Sequence, residues 1–296
     1  MTFAARDEAL RRAPQDGGAF IDALTFAFGD PVKAVYGLAR LAVGADGASA
    51  MAVIYEGNFT MAGGRQAGVA VDGESWEDVR VTGVSTTTET PLEAWTITYE
   101  GDDGAGYDLR FGAISTPARV QAGGLDGYEQ LAAVRGTVTH GGRSVEVNCL
   151  GQREHVWGVP DLDRIEVARS LSAWLGADRA VMLTAVRPAR AKQRHLDEVL
   201  SGWIIEGDEP RTIADPRLST TYDGDLRQQR AGLELWLDEE ATVSRRVSGE
   251  VVCGTTIDIG DLRLDTAFFA WRMEGREGVG LYDVLRRAEG KRTKKR

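Results

Sequence analysis

Cysteine and histidine are scarce in this sequence. Its 296 residues include two cysteines, Cys149 and Cys253, and three histidines, His140, His155 and His195. No CxxC or HExxH spacing joins them, so neither a disulfide framework nor a zinc site is implied. Long apolar runs are missing too: nothing approaches the roughly 18 consecutive apolar residues of a membrane span. Residues 1–15 are charged and do not lead from a basic flank into an apolar block. A soluble, cytoplasmic chain without an integral membrane segment is expected. Positive charge is in deficit, with 35 Lys and Arg against 45 Asp and Glu and a formal net charge of −10. A surface of that sign repels phosphate backbones, so nucleic acid is not expected as the principal partner. The sequence has no GxGxxG opening a helix, no GxxxxGKS/T loop and no GxSxG elbow. Dinucleotide, P-loop and α/β-hydrolase chemistries lose their usual signals, and no cofactor is expected. Cofactor-free chemistry or simple binding remains, and nothing in the sequence fixes the oligomeric state.

Glycine is abundant, with 36 residues. Short β-branched or aromatic segments recur between Gly and Asp pairs, the punctuation of antiparallel strands joined by tight turns. Gly44-Ala45-Asp46-Gly47 is such a hairpin signal, between candidate strands at 35–43 and 50–56. Further strands are expected at 20–28, 67–71, 79–85, 94–100 and 107–114. Trp95, Ile97 and Tyr99 alternate there with Thr96 and Thr98, giving one buried and one wet face. A second series runs from residue 128 to 271. Helices of the length that connects parallel strands are missing, so the fold expected is all-β, with two antiparallel barrel or sandwich domains in tandem. The division is placed at residues 1–147 and 148–289. Minor helix is expected at 4–12 and at 284–289, and residues 290–296, five of them Lys or Arg, are expected to form a disordered, dispensable tail.

The densest cluster of unusual residues is Gly151-Gln152-Arg153-Glu154-His155-Val156-Trp157-Gly158, followed by Val159-Pro160-Asp161. On an extended backbone, Arg153, His155 and Trp157 share one face and Glu154 and Val156 the other. A cation, an imidazole and an indole then converge. Histidine moves protons near neutral pH, and an indole face stabilises a developing cation in a dry pocket. The arrangement suits acid-initiated hydration or cyclisation of an alkene; a stacked, hydrogen-bonded staple between two β-halves is the alternative. Glu129 and Glu154 are the nearest acids, each able to act as a proton donor if burial raises its pKa or to pair with Arg153 or Arg135. Cys149 and His155 are too loosely related in sequence to establish a thiol nucleophile and its base.

The octapeptide resembles the G-x-R-D/E-H-x-W-G signature of the lipocalin-like superfamily containing acyclic carotenoid 1,2-hydratases (hydroxyneurosporene synthases), related to tocopherol cyclases and fungal Diels–Alderases. Tyr128-Glu129-Gln130 with Val134-x-Gly136-x-Val138 resembles the strand before that signature. Phe26-x-Phe28-x-Asp30-Pro31 resembles the opening strand of bacterial members, and Trp271 with Gly275-Arg276-x-Gly278-x-Gly280 their closing strand, with Asp283 in place of Glu. The resemblance covers roughly residues 20–285. It implies two lipocalin-like β-barrels enclosing apolar cavities and a hydratase- or cyclase-type lyase or isomerase acting, without cofactor, on a terpenoid, steroid or polyketide-like molecule. Catalytic candidates are then His155, Trp157, Glu154 and Asp161, and ligand-binding candidates Arg153, Tyr128, Glu129, Trp271 and Trp95. Pro160 and Leu162 depart from the usual Arg and Trp, and Met182 and Thr184 stand where carotenoid hydratases carry an aromatic and an acid. These departures argue against carotenoid hydration specifically. A non-catalytic carrier of a hydrophobic small molecule is the competing expectation.

Overall fold

The computed structural model describes residues 2–12, 19–191 and 197–288. The expected basic tail and His195 lie outside these residues. The described chain is almost entirely strand, in two curled antiparallel sheets. The first holds β1 (Ile21–Asp30), β2 (Val35–Gly44), β3 (Gly47–Glu56), β4 (Phe59–Val69), β5 (Val84–Thr90), β6 (Ala94–Glu100), β7 (Gly106–Ala113), β8 (Ala118–Ala122), β9 (Leu125–His140) and β10 (Arg143–Gly158). The second holds β11 (Ile165–Gly176), β12 (Arg179–Pro188), β13 (Val199–Glu206), β14 (Pro210–Thr212), β15 (Asp215–Tyr222), β16 (Gln228–Trp236), β17 (Arg245–Ile259), β18 (Leu262–Met273) and β19 (Arg276–Arg287).

The two sheets repeat one topology. The first runs β4-β3-β2-β1-β10-β9-β7-β6-β5, with β8 beside β9, and the second runs β14-β13-β12-β11-β19-β18-β17-β16-β15. In each, the opening strand pairs with the closing one, so β10 and β19 occupy corresponding places. Period-two alternation explains why the central strands are apolar on both faces. Leu24, Phe26 and Phe28 of β1 enter the core of the first sheet, while Ala27 turns toward the other sheet. Leu171 and Ala173 of β11 likewise enter the second core, and Trp174 faces the interface. There Phe268 lies 5.5 Å from Tyr36, 5.9 Å from Tyr55 and 6.4 Å from Trp174, ring centre to ring centre, binding the two halves through buried aromatic area.

The described residues bear on three sequence expectations. Helix is expected at 284–289, but Val284 and Leu285 pair with both β11 and β18, and ladder bonds on two sides override the local helical pattern. Residues 4–12 contain one short 3₁₀ turn, Ala5–Glu8. The division at 147/148 cuts through β10, which pairs along its whole length with β9 and, over Leu150 to Gly158, with β1. The chain therefore changes sheet after Gly158. No helix of the described residues is long and apolar enough to cross a membrane.

Candidate functional site

The signature is the second half of β10, and its two outer glycines have steric reasons to be there. A Cβ on Gly151 would run into the Ala27 carbonyl and lie 2.6 Å from Val134 Cγ2. Gly158 has φ +138°, and a Cβ there would meet the Gly124 carbonyl at 2.5 Å. Between them the strand alternates as expected, and its two faces do different things.

The face carrying Arg153, His155 and Trp157 is filled by the N-terminal segment. Glu8 is buried, and its carboxylate accepts hydrogen bonds from both terminal nitrogens of Arg153, Nη1 at 3.1 Å and Nη2 at 2.6 Å. It also accepts from the Tyr128 hydroxyl at 2.7 Å, the Trp95 indole at 3.3 Å and the Leu92 amide at 3.1 Å. Arg153 is 0% exposed, donates to Tyr128 Oη at 2.7 Å and lies 4.6 Å from the centre of the Trp95 ring. His155, also 0% exposed, has Nε2 2.8 Å from Asp22 Oδ1 and Nδ1 3.5 Å from Tyr128 Oη. The other Asp22 oxygen accepts the Arg11 amide at 2.6 Å. Trp76 and Trp157 meet the imidazole edge-on at 5.8 and 5.1 Å, and the Arg11 guanidinium covers Trp157 at 3.4 Å. Burial, opposed by the Asp22 hydrogen bond and assisted by the Arg153 charge, holds the His155 pKa below its ordinary value. The neutral ring therefore donates Nε2–H to Asp22. Tyr128 is pushed far up, first by burial. Arg153, His155, Trp157, Tyr128 and Trp95 do converge, but in a network that the N-terminal segment closes over, with Arg153 Nε left without a hydrogen-bond partner.

The open space lies on the other face of β10. Arg40, Thr25, Glu154 and Glu129 form one register row across β2, β1, β10 and β9. Opposite, Asp283, Ser170 and Thr184 form a row across β19, β11 and β12. Arg40 of the first sheet pairs with Asp283 of the second. Glu154, Arg40, Asp283, Ser170 and Thr184 line a pocket of about 260 Å³ between the sheets, whose remaining lining is mostly aliphatic, including Leu125, Val156, Ile165 and Leu285. A larger hollow of about 520 Å³ lies along β15–β17, lined by Arg217, Leu218, Leu233, Glu234, Arg246 and Val247, and no residue of the signature borders it.

Glu154 keeps part of its surface open to the inter-sheet pocket while lying inside the molecule. Burial raises its carboxyl above the ordinary range; the Arg40 charge and a Thr25 hydrogen bond oppose the rise, and Asp283 adds to it. Glu129 is buried beside it, accepts Gln152 Nε2 at 3.1 Å, and is held well above the ordinary range by burial and then by Glu154. Asp161 sits on the turn after β10, with its side chain 45% exposed and 3.6 Å from Arg164. Trp271 lies in the core of the second sheet, stacked on Phe269 at 5.4 Å, and belongs to neither face of β10. Cys149 is six positions, about 20 Å of extended chain, from His155, and burial pushes its thiol up to about 12, which disfavours a thiolate nucleophile. Sequence reasoning missed Glu8, Asp22 and Arg40. Asp283 had a signal, its acidic position in the closing strand.

Two curled antiparallel sheets in tandem, with a pocket between them, define an all-β, two-domain lipocalin-like protein. The chain belongs to the family described as domain of unknown function DUF7064, whose profile matches residues 5–288. No curated protein matches the sequence. Among solved structures it is similar to kievitone hydratase from Nectria haematococca, with TM-score 0.66, 11% identity and coverage of 96% of this chain and 95% of that one. It is also similar to CghA, with TM-score 0.63, 11% identity and coverage of 92% and 89%. A Nitrosomonas europaea protein provisionally called AttH gives TM-score 0.67 at 10% identity, covering 93% and 95%. At these identities the likeness concerns the fold.

Proposed function

We propose that this protein is a cofactor-independent enzyme of hydratase or cyclase type that protonates a hydrophobic, neutral small molecule in the pocket between the sheets, with Glu154 as the proton donor. The observation that carries this reading is a carboxyl group inside the molecule, set in a mostly aliphatic wall and open to the pocket, where burial raises its pKa. A carboxyl whose burial favours the protonated form is able to give a proton to an alkene carbon, and proton transfer from a positioned group contributes about 10²- to 10⁴-fold in rate. The lining favours neutral ligands, because its charged groups are paired, Arg40 with Asp283 and Arg169 with Glu198. The similarity in fold to a hydratase supports the class of chemistry by analogy.

This reading moves the chemistry away from His155 and Trp157. The sealed His155 has both ring nitrogens near partners, and the Trp157 ring is covered by Arg11. These residues hold the N-terminal segment against β10, His155 through Asp22, which accepts the Arg11 amide, and Trp157 under the Arg11 guanidinium. The test is incubation with terpenoids, polyenes and steroids, following binding and product by mass spectrometry. Glu154→Gln is expected to reduce conversion by about 10²-fold or more while leaving ligand affinity within a few fold. Binding without conversion across the panel would establish a carrier instead.

A further inference from the structure

The tandem halves contribute one acid each to the same pocket. Glu154 lies on β10, the closing strand of the first sheet, and pairs with Thr25 on the opening strand. Asp283 lies on β19, the closing strand of the second, and pairs with Ser170 on its opening strand. Three residues before each acid stands a glycine, Gly151 or Gly280, whose added Cβ would strike a carbonyl of the opening strand, that of Ala27 or Ser172. The motif Gly-x-x-acid thus recurs at corresponding places in the duplicated topology. The two copies are differently furnished. Arg40, beside Thr25 in the first sheet, reaches across to Asp283 Oδ2, whereas Thr184 occupies the corresponding place beside Ser170. Asp283 Oδ1 is buried without a hydrogen-bond partner. Arg40 holds one oxygen of Asp283, and the other, with its hydrogen-bonding capacity unused, belongs to a side chain that lines the pocket.

Resting on the reading of Glu154 given above, we infer that Asp283 is the second catalytic group, the base that takes the proton from an adding water, so that the reaction is hydration of a neutral alkene. Glu154 gives its proton to one alkene carbon; the π pair forms the new C–H bond and leaves the neighbouring carbon cationic. Among the residues lining the pocket there is no aromatic ring, so the nearby carboxylate, and not an indole face, balances that charge. A water oxygen bonds to the cationic carbon, and one of its protons passes to Asp283. The alcohol leaves with Glu154 ionised and Asp283 protonated, and return of one proton from Asp283 to Glu154 restores the site. Alkene and water are the only reactants consumed.

The experiment incubates the full chain with geraniol, myrcene, farnesol and a Δ5 steroid in deuterated, ¹⁸O-enriched water, with product and recovered alkene read by mass spectrometry. The expected wild-type product carries one deuterium on carbon and one ¹⁸O. The comparison variant is Asp283→Ala combined with Arg40→Met, which leaves no cation unpaired. It should still exchange deuterium into recovered alkene but form ¹⁸O-alcohol at least 100-fold more slowly, whereas Glu154→Gln should lose both. Formation of ¹⁸O-alcohol by the double variant at the wild-type rate overturns the role of Asp283 and leaves Glu154 standing. A wild-type product without ¹⁸O does the same, needs no variant, and identifies the protein as a cyclase or isomerase. Conversion of no compound overturns the Glu154 reading and this one together.

Discussion

Replacing Glu8 with alanine is expected to destabilise the first half-barrel strongly, even though Glu8 lies in a short 3₁₀ turn near the N-terminus. The reason is what the substitution leaves behind. Arg153 is fully buried, and its Nε is already without a partner, so removing the carboxylate strands a guanidinium with the Tyr128 hydroxyl as its remaining hydrogen-bond partner. Removing one partner of a buried ion pair costs about 3–5 kcal/mol. The Trp95 indole and the Leu92 amide lose the same acceptor, but one carboxylate serves all of these donors, so their losses fall inside that figure and are not added to it. Against a total stability of roughly 5–15 kcal/mol, the loss is large. For a unit of this size it corresponds to a fall in Tm of about 10 °C. Urea titration followed by linear extrapolation supplies the measurement. The double variant Glu8→Ala with Arg153→Met should be more stable than Glu8→Ala alone, because it removes the unpaired cation. A loss below about 1 kcal/mol for Glu8→Ala, or no recovery in the double variant, would refute the claim that the N-terminal segment is held by a buried ion pair.

Other expected outcomes follow from the same residues. His155 has a folded pKa below its unfolded value, so its contribution to stability is complete above about pH 6.5 and is lost as pH falls through that range toward the folded pKa. His155→Gln should therefore flatten the dependence of the urea midpoint on pH between about 5 and 7, and an unchanged slope would assign it to other groups. Glu129 has a folded pKa raised above its unfolded value, so its favourable contribution belongs to low pH and is lost as pH rises. Glu129→Gln should raise the urea midpoint at pH 7–8, about the neutral range, and the gain should shrink below pH ~4.5; destabilisation at pH 8 would contradict a protonated Glu129. Gly151→Ala places a methyl group against the Ala27 carbonyl and Val134. It should cost about 1–3 kcal/mol in chemical denaturation, and a neutral result would show that β1 and β10 have room to part.

The parts of this fold legible in the sequence are those governed by neighbours along the chain. Gly44-Ala45-Asp46-Gly47 marks a turn because Gly47 takes φ +100°, and β2 and β3 follow from it. The separation of Arg153, His155 and Trp157 from Glu154 and Val156 needs nothing beyond a period of two. What each face meets depends on residues far away in sequence. Glu8 reaches Arg153 across 145 positions, Asp22 reaches His155 across 133, and Arg40 reaches Asp283 across 243. No local pattern encodes those meetings. The expected helix at 284–289 fails for a related reason: its local spacing of apolar residues is real, but a slot between β11 and β18 with unpaired backbone groups on both sides decides the conformation.

One strand therefore serves two tasks that a single-faced reading of the signature runs together. Its odd-numbered side chains face the interior of the first half-barrel, where the N-terminal segment closes over them with a buried ion pair and a neutral imidazole. Its even-numbered side chains face the second sheet, where Glu154 meets the pocket. The tasks are coupled by backbone register alone, because a shift of one residue would carry Arg153 into the interface and Glu154 into the half-barrel. Gly151, packed against the Ala27 carbonyl, and Gly158, in a conformation that favours glycine, pin that register at both ends of the octapeptide. Loss of His155 or Trp157 would then reduce activity by loosening the support of β10, with the greatest effect near the melting transition. Loss of Glu154 would act on the chemistry at every temperature at which the fold persists. The temperature dependence of the defect consequently separates the supporting face from the reacting one: an activity loss in His155→Ala that stays constant well below its Tm would return the imidazole to the reaction.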